Sequence, residues 1–225
     1  SLGNYWTIRE ILKLYTPEAL RYFLMSVHYR SGINFEVEED AGISDARFPG
    51  LEEADERVAY VYATLRGARA QLASGKETDP EGEVTPAVAG MLESFLAALR
   101  NDFNTPAALG ELSKPLHEIN GLLASGKGVA RDVRRRTLAR FVADMAVVSE
   151  VLGCFGQDPG AYLTGRRDLK AARIGLDLGR VAELMAARQA AREARDFAEA
   201  DRLRDALGEL GVAVQDGPEG STWEL

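Results

Sequence analysis

Arginine, aromatic and carboxylate side chains crowd toward one end of this 225-residue chain. Residues 166–204 hold ten Lys and Arg against seven Asp and Glu, and Arg188, Arg192 and Arg195 recur at spacings that gather them on one helix side. Phe197 lies in the same stretch, and Trp223 stands near the end. Guanidinium groups contact phosphates, aromatic faces stack on unstacked bases, and carboxylates accept from base amino groups, so the mixture suits reading of single-stranded RNA. The plain reading of Phe197 is ordinary core packing, because it is in helical register with Leu203 and Leu207. A second basic cluster joins Arg131, Arg134, Arg135, Arg136 and Arg140 with one acid, Asp132. Its plain reading is a solvated helix face. The sharper one is a phosphate-contacting surface, with Arg134, Arg135 and the more distant Arg188 as candidate contacts.

Catalytic chemistry has fewer signs. No Gly-rich phosphate loop stands between a strand and a helix, and no Ser/His or Cys/His pair has recognisable spacing. His28 and His117 are isolated, and the one cysteine, Cys154, excludes an internal disulfide or a Cys-rich zinc site. Cys154 ends an apolar helix and reads as a buried structural thiol. His28 sits near a helix C-terminus and His117 on a solvent side. The residues call for no metal or cofactor and no catalytic group of this chain's own. They describe a binding module.

Helices must position these groups. Thr16-Pro17, Thr85-Pro86 and Thr105-Pro106 each set a capping hydroxyl before a proline at the first helical position. Apolar stripes come after them: Leu20, Phe23, Leu24 and Val27; Val88, Met91, Leu92, Phe95, Leu96 and Leu99; Leu109, Leu112, Leu116, Ile119 and Leu123. Thr7 and Glu10 form a capping box ahead of Ile8, Ile11 and Leu12. Helices over 51–73 (Val58, Val61, Tyr62, Leu65) and 130–153 (Leu138, Phe141, Val142, Met145, Val148, Leu152) complete a set of four between 51 and 153. Short connections make an antiparallel bundle the expected solution. Gly156, Asp158-Pro159-Gly160 and Gly165 break the pattern, so 156–178 reads as a linker. Beyond it, Val181, Leu184 and Met185 begin a helix that continues or restarts at Phe197, Ala200, Leu203, Leu207 and Leu210, with Gly211 as its stop. Residues 212–216 and 221–224 flank Gly217-Pro218-Glu219-Gly220 as a β-hairpin. The fold class is therefore mainly α: an antiparallel helical bundle plus a small C-terminal helical module with a hairpin. Its divisions are 1–50, a bundle over 51–155, the linker 156–178, and a terminal module over 179–225.

Charge narrows the partners. Lys and Arg total 27 against 35 Asp and Glu, a formal −8, which argues against coating nucleic acid through bulk charge. Nine acids and only Arg47 fall within 36–56, however, so that segment holds the whole imbalance. No run is apolar enough for a membrane span and no secretory signal opens the chain. The expectation is a cytoplasmic protein, not membrane-bound.

Several motifs in order resemble the cysteinyl-tRNA synthetases, class I aminoacyl-tRNA ligases. Ser1-Leu2-Gly3-Asn4-Tyr5-Trp6-Thr7-Ile8-Arg9 is similar to the end of the family's Lys-Met-Ser-Lys-Ser loop and the residues just beyond that loop. Leu20-Arg21-Tyr22-Phe23-Leu24, His28-Tyr29-Arg30-Ser31 and Ile33-Asn34-Phe35 are similar to its next segment. Asp102-Phe103-Asn104-Thr105-Pro106 matches its helical domain. Arg195-Asp196-Phe197-Ala198-Glu199-Ala200-Asp201 and Asp216 through Trp223 match its C-terminal module.

The resemblance implies that 1–35 link a catalytic domain to the tRNA stem, that 51–155 are the class I anticodon-binding bundle, and that the terminal module reads the cysteine anticodon. By position, Arg192, Phe197, Asp201 and Asp216 fall where the family contacts the anticodon, Phe197 replacing a Trp of some members. Guanine is the family's first anticodon base, and its ring N–H and amino donors suit Asp201 and Asp216 as acceptors. The partners implied are the tRNA for cysteine and an N-terminal catalytic domain, in a monomer. ATP and zinc are expected of the full-length ligase. Of the signature loop Ser1 alone is present here, without its lysines, so the chain by itself is expected to be inactive. Two other readings stand beside this one: part of a paralogue that joins cysteine to an amino sugar in thiol biosynthesis, and a free-standing helical adaptor for another protein.

Overall fold

The computed structural model describes residues 6–38, 47–75, 78–126, 128–217 and 220–225. Ser1 through Tyr5, the acids Glu39, Asp40 and Asp45, and the hairpin residues Pro218 and Glu219 lie outside these. The chain divides into two compact units, 1–163 and 164–225.

The first unit opens with α1 (Ile8–Ile11), where Thr7 and Glu10 form the expected capping box. One turn buries one residue: Ile11 is covered, while Ile8 and Leu12 are exposed. In α2 (Pro17–Met25) Thr16 accepts from the Ala19 amide and Pro17 takes the first position, where its missing N–H costs nothing. Leu20 and Phe23 are buried as expected, but Leu24 is exposed. Then α3 (Pro49–Ala73) and α8 (Arg131–Leu152) supply the long sides of the bundle. Val58, Tyr62, Leu65, Leu138, Phe141, Met145 and Val148 meet in its core. A smaller cluster gathers Ile11, Tyr15, Phe23, Phe48, Leu51 and Ala54, so the first turns of α3 pack with α1 and α2.

Two expected single helices are each divided. Residues 86–100 break at Gly90 into α4 (Pro86–Ala89) and α5 (Met91–Arg100). Residues 105–124 break at Leu112 into α6 (Thr105–Glu111) and α7 (Ser113–Ala124). Pro115 explains the second break, because it has no N–H for the Glu111 carbonyl and its ring crowds that turn. The Thr-Pro device also varies. Thr85 caps α4 by position without a side-chain bond. At α6 the cap is Asn104, which accepts from the Ala107 amide. Thr105 instead donates to the Met25 carbonyl at 2.8 Å, tying α6 to the end of α2.

The stretch expected as a linker is largely helix: α9 covers Pro159–Arg173. Asp158 accepts from the Ala161 amide, Pro159 suits a first turn, and Gly160 and Gly165 do not overcome the remaining helix formers. In the second unit, α10 (Leu178–Glu193) and α11 (Phe197–Glu209) pack against each other. The helix restarts because Arg195 turns left-handed, φ +61°, and Asp196 caps α11 by accepting from the Glu199 amide. β1 (Ala213–Gly217) and β2 (Gly220–Glu224) form the antiparallel hairpin, with Val214 opposite Trp223 and Asp216 opposite Ser221. Val181, Leu184, Leu207 and Val212 form this unit's core, with Trp223 against it.

Candidate nucleic-acid interface

The second unit centres its polar chemistry on Asp216. Hairpin register sets Ser221 directly across from it, and the Ser221 hydroxyl donates to Oδ1 at 2.6 Å. From α10, Arg188 donates through Nη1 to Oδ1 at 3.0 Å and through Nη2 to Oδ2 at 2.9 Å, the two-pronged geometry that guanidinium and carboxylate favour. Arg188 Nη1 also donates to Ser221 Oγ at 3.0 Å. One turn later on the same helix face, Arg192 Nη1 pairs with Oδ1 at 2.5 Å.

Burial differs sharply among these groups. The Arg188 side chain is 6 % exposed, against 41 % for Asp216 and 39 % for Arg192. The Arg188 and Ser221 hydrogen bonds hold the Asp216 carboxyl well below the usual carboxylate range. Arg188 moves in the opposite direction, raised chiefly by its bonds to Asp216, with Asp201 adding a weaker electrostatic contribution. Asp201 itself is exposed on α11. Phe197, the first residue of α11, is 65 % exposed, so packing does not account for it.

The structure thus brings Arg192 and Asp216 into contact, puts Asp201 within electrostatic reach of the same cluster, and leaves Phe197 open to solvent. Arg188 is committed to Asp216 within its own fold. Trp223 is also engaged internally: the Arg167 guanidinium lies 4.0 Å from its ring centroid. Ser221 was missed by residue-type reasoning. Its signal is register, since strands closed around 217–220 set 221 opposite 216.

Three arginines of the α8 cluster, Arg134, Arg135 and Arg136, are occupied within their own unit, while Arg131 is exposed. Arg135 donates to the Gln71 and Leu72 carbonyls at the end of α3 and to Thr78 Oγ1. Arg136 donates to the Glu83 carbonyl and pairs with Asp132 at 2.5 Å. Arg134 lies against Gly126. These arginines close loops at one end of the bundle.

A second polar knot joins two of the sequence motifs. Asp102 Oδ1 accepts from Tyr29 Oη at 2.9 Å and Arg30 Nη2 at 3.0 Å, with His28 Nε2 3.8 Å from Oδ2. Asp102 and Phe103 are both left-handed, φ +57° and +51°, and Phe103 is 73 % exposed. The remaining candidates are structural. Cys154 is fully buried, and burial pushes its thiol up to about 12. Glu18, also buried, accepts from Tyr62 Oη, the Phe155 amide and Gln157 Nε2. Among the described residues no group of three His, Cys, Asp or Glu side chains could hold a metal ion. None of the helices among them is long and apolar enough to cross a membrane.

Comparison with known proteins matches three separate stretches of the chain. Residues 179–223 match the cysteinyl-tRNA ligase anticodon-binding domain, 94–156 the DALR domain, and 1–44 the class I (C) tRNA synthetase catalytic domain. The whole chain is similar to the cysteine–tRNA ligase of Desulfovibrio desulfuricans, 39 % identical and covering 45 % of that protein. It is likewise similar to those of Anaeromyxobacter dehalogenans, 40 % identical over 43 % of its length, and Nitratidesulfovibrio vulgaris, 38 % over 44 %. The chain spans less than half the length of these relatives.

Proposed function

We infer that this chain, which belongs to the cysteinyl-tRNA synthetase family, is the tRNA-binding and anticodon-reading portion of a cysteine–tRNA ligase. The full-length protein would join cysteine to its tRNA with ATP, as a cytoplasmic monomer. The observation that carries the reading is the cluster on the second unit, inside the stretch matching an anticodon-binding domain. There Asp216 and Arg192 pair while each remains well exposed, and Phe197, the first residue of α11 in the same unit, is exposed. Phe197 would stack on an anticodon base, Arg192 would contact phosphate or base, and Asp201 and Asp216 would accept from guanine donors. Arg134 and Arg135 would reach phosphate only by giving up loop contacts, so they rank below these four.

Zinc does not fit the described residues, which offer no three-ligand cluster, and no step is assigned to it or to ATP. Nothing in the geometry favours the amino-sugar paralogue or the protein adaptor. Binding of this chain to transcribed cysteine tRNA should be salt-sensitive, weakening roughly tenfold or more between 50 and 200 mM salt if several phosphates are contacted. Undetectable binding at low salt would sink the proposal.

A further inference from the structure

Asp216 has more donors than an exposed surface carboxylate ordinarily gathers, and they are unevenly shared. Oδ1 receives Arg188 Nη1, the Ser221 hydroxyl and Arg192 Nη1, while Oδ2 receives only Arg188 Nη2 among the described residues. A carboxylate offers about two acceptor directions on each oxygen. Oδ1 is saturated and Oδ2 retains one direction. The guanidinium that fixes this asymmetry comes from beneath, on a side chain 6 % exposed whose Nε is buried without a partner. Burial, not saturation, keeps Arg188 from an outside phosphate, and its two-pronged grip prevents the carboxylate from rotating about its terminal bond. Ser221 braces the same oxygen from the opposite strand.

We propose that Arg188, braced by Ser221, is a positioning residue that locks the Asp216 carboxylate so that Oδ2 accepts one N–H donor from a guanine base edge. This rests on the anticodon-reading proposal and sharpens it: Asp216 takes a single donor, and the second guanine donor must find another acceptor, for which Asp201 is available on α11. The depressed ionisation of Asp216 fits this arrangement, since the locked group stays an acceptor throughout the neutral and mildly acidic range.

The test uses the full chain, cysteine tRNA transcripts with guanine or adenine as first anticodon base, and the ratio of the two dissociation constants. Asp216→Asn should lower the guanine preference about fivefold or more. Arg188→Met should lower it comparably, Arg188→Lys less, because one ammonium cannot grip both oxygens, and Ser221→Ala least. A purely structural role would weaken both RNAs equally and leave the ratio unchanged. Carboxyl-carbon NMR supplies a second reading: in Arg188→Met the Asp216 titration should move up toward the ordinary range. If Arg188→Met does not fold, Arg188→Lys and Ser221→Ala carry both measurements. A folded Arg188 variant that keeps the preference, while Asp216→Asn loses it, overturns the positioning role and leaves anticodon reading standing. Retention of the preference by Asp216→Asn overturns both.

Discussion

Two aspartates, one in each compact unit, gather nearly the same kinds of partner and reach different ends. Asp102 collects Tyr29, Arg30 and a nearby His28; Asp216 collects Ser221, Arg188 and Arg192. The carboxylates are almost equally exposed, 45 % and 41 %. Their cations are not: Arg30 is 66 % exposed and Arg188 only 6 %. An exposed guanidinium is hydrated and screened, and it spends entropy to stay in place. A buried one has already lost its water and its freedom, so its hydrogen bonds fix the geometry of whatever they touch. The lesson is that the burial of the partner, more than the number of bonds or the exposure of the acid, separates a tethered carboxylate from a locked one. The locked one lies in the stretch matched to the cysteinyl-tRNA ligase anticodon-binding domain, the tethered one in the stretch matched to the DALR domain.

The sharpest way to break this comparison is to remove each cation. Arg188→Met should destabilise the second unit by about 2–3 kcal/mol, below the full cost of breaking a buried pair because Asp216 is partly exposed. Arg30→Met should cost the first unit under about 1 kcal/mol. Chemical denaturation monitored separately for the two units decides it, and equal losses would remove the distinction. A smaller effect concerns pH. A folded-state carboxyl held below its ordinary value of 3.8 contributes stability that is complete above that value and is lost as pH falls toward the lower, folded-state one. The stability gap between the native chain and Asp216→Asn should thus be flat from pH 7 to about 5 and shrink below about 4. A gap unchanged down to pH 2.5 would contradict the depressed ionisation.

Much of the helical framework was legible because apolar periodicity and end signals agreed. Val58, Val61, Tyr62 and Leu65 on α3, and Leu138, Phe141 and Met145 on α8, are buried as their spacing requires. The capping box at Thr7 and Glu10 forms as written. Where local signals competed, the reading failed for identifiable reasons. Asn104 outcompeted Thr105 as the cap because the threonine hydroxyl found a carbonyl on a distant segment. Glycines at 156, 160 and 165 suggested a linker, yet Asp158 and Pro159 start a helix there. At the site, spacing put Arg188 and Arg192 on one helix side, but which would be buried depended on where the hairpin lands. That depends on tertiary packing, which a single sequence does not display.

If this chain recognises an anticodon through its second unit, its affinity must depend on the anticodon's first base. The direct measurement is its affinity, at fixed salt, for cysteine tRNA with guanine as first anticodon base and for the same tRNA with adenine there. The expected result is a preference for guanine of at least fivefold, about 1 kcal/mol, that Asp201→Ala reduces. Equal affinity for the two RNAs, at a salt concentration where both bind, would contradict it.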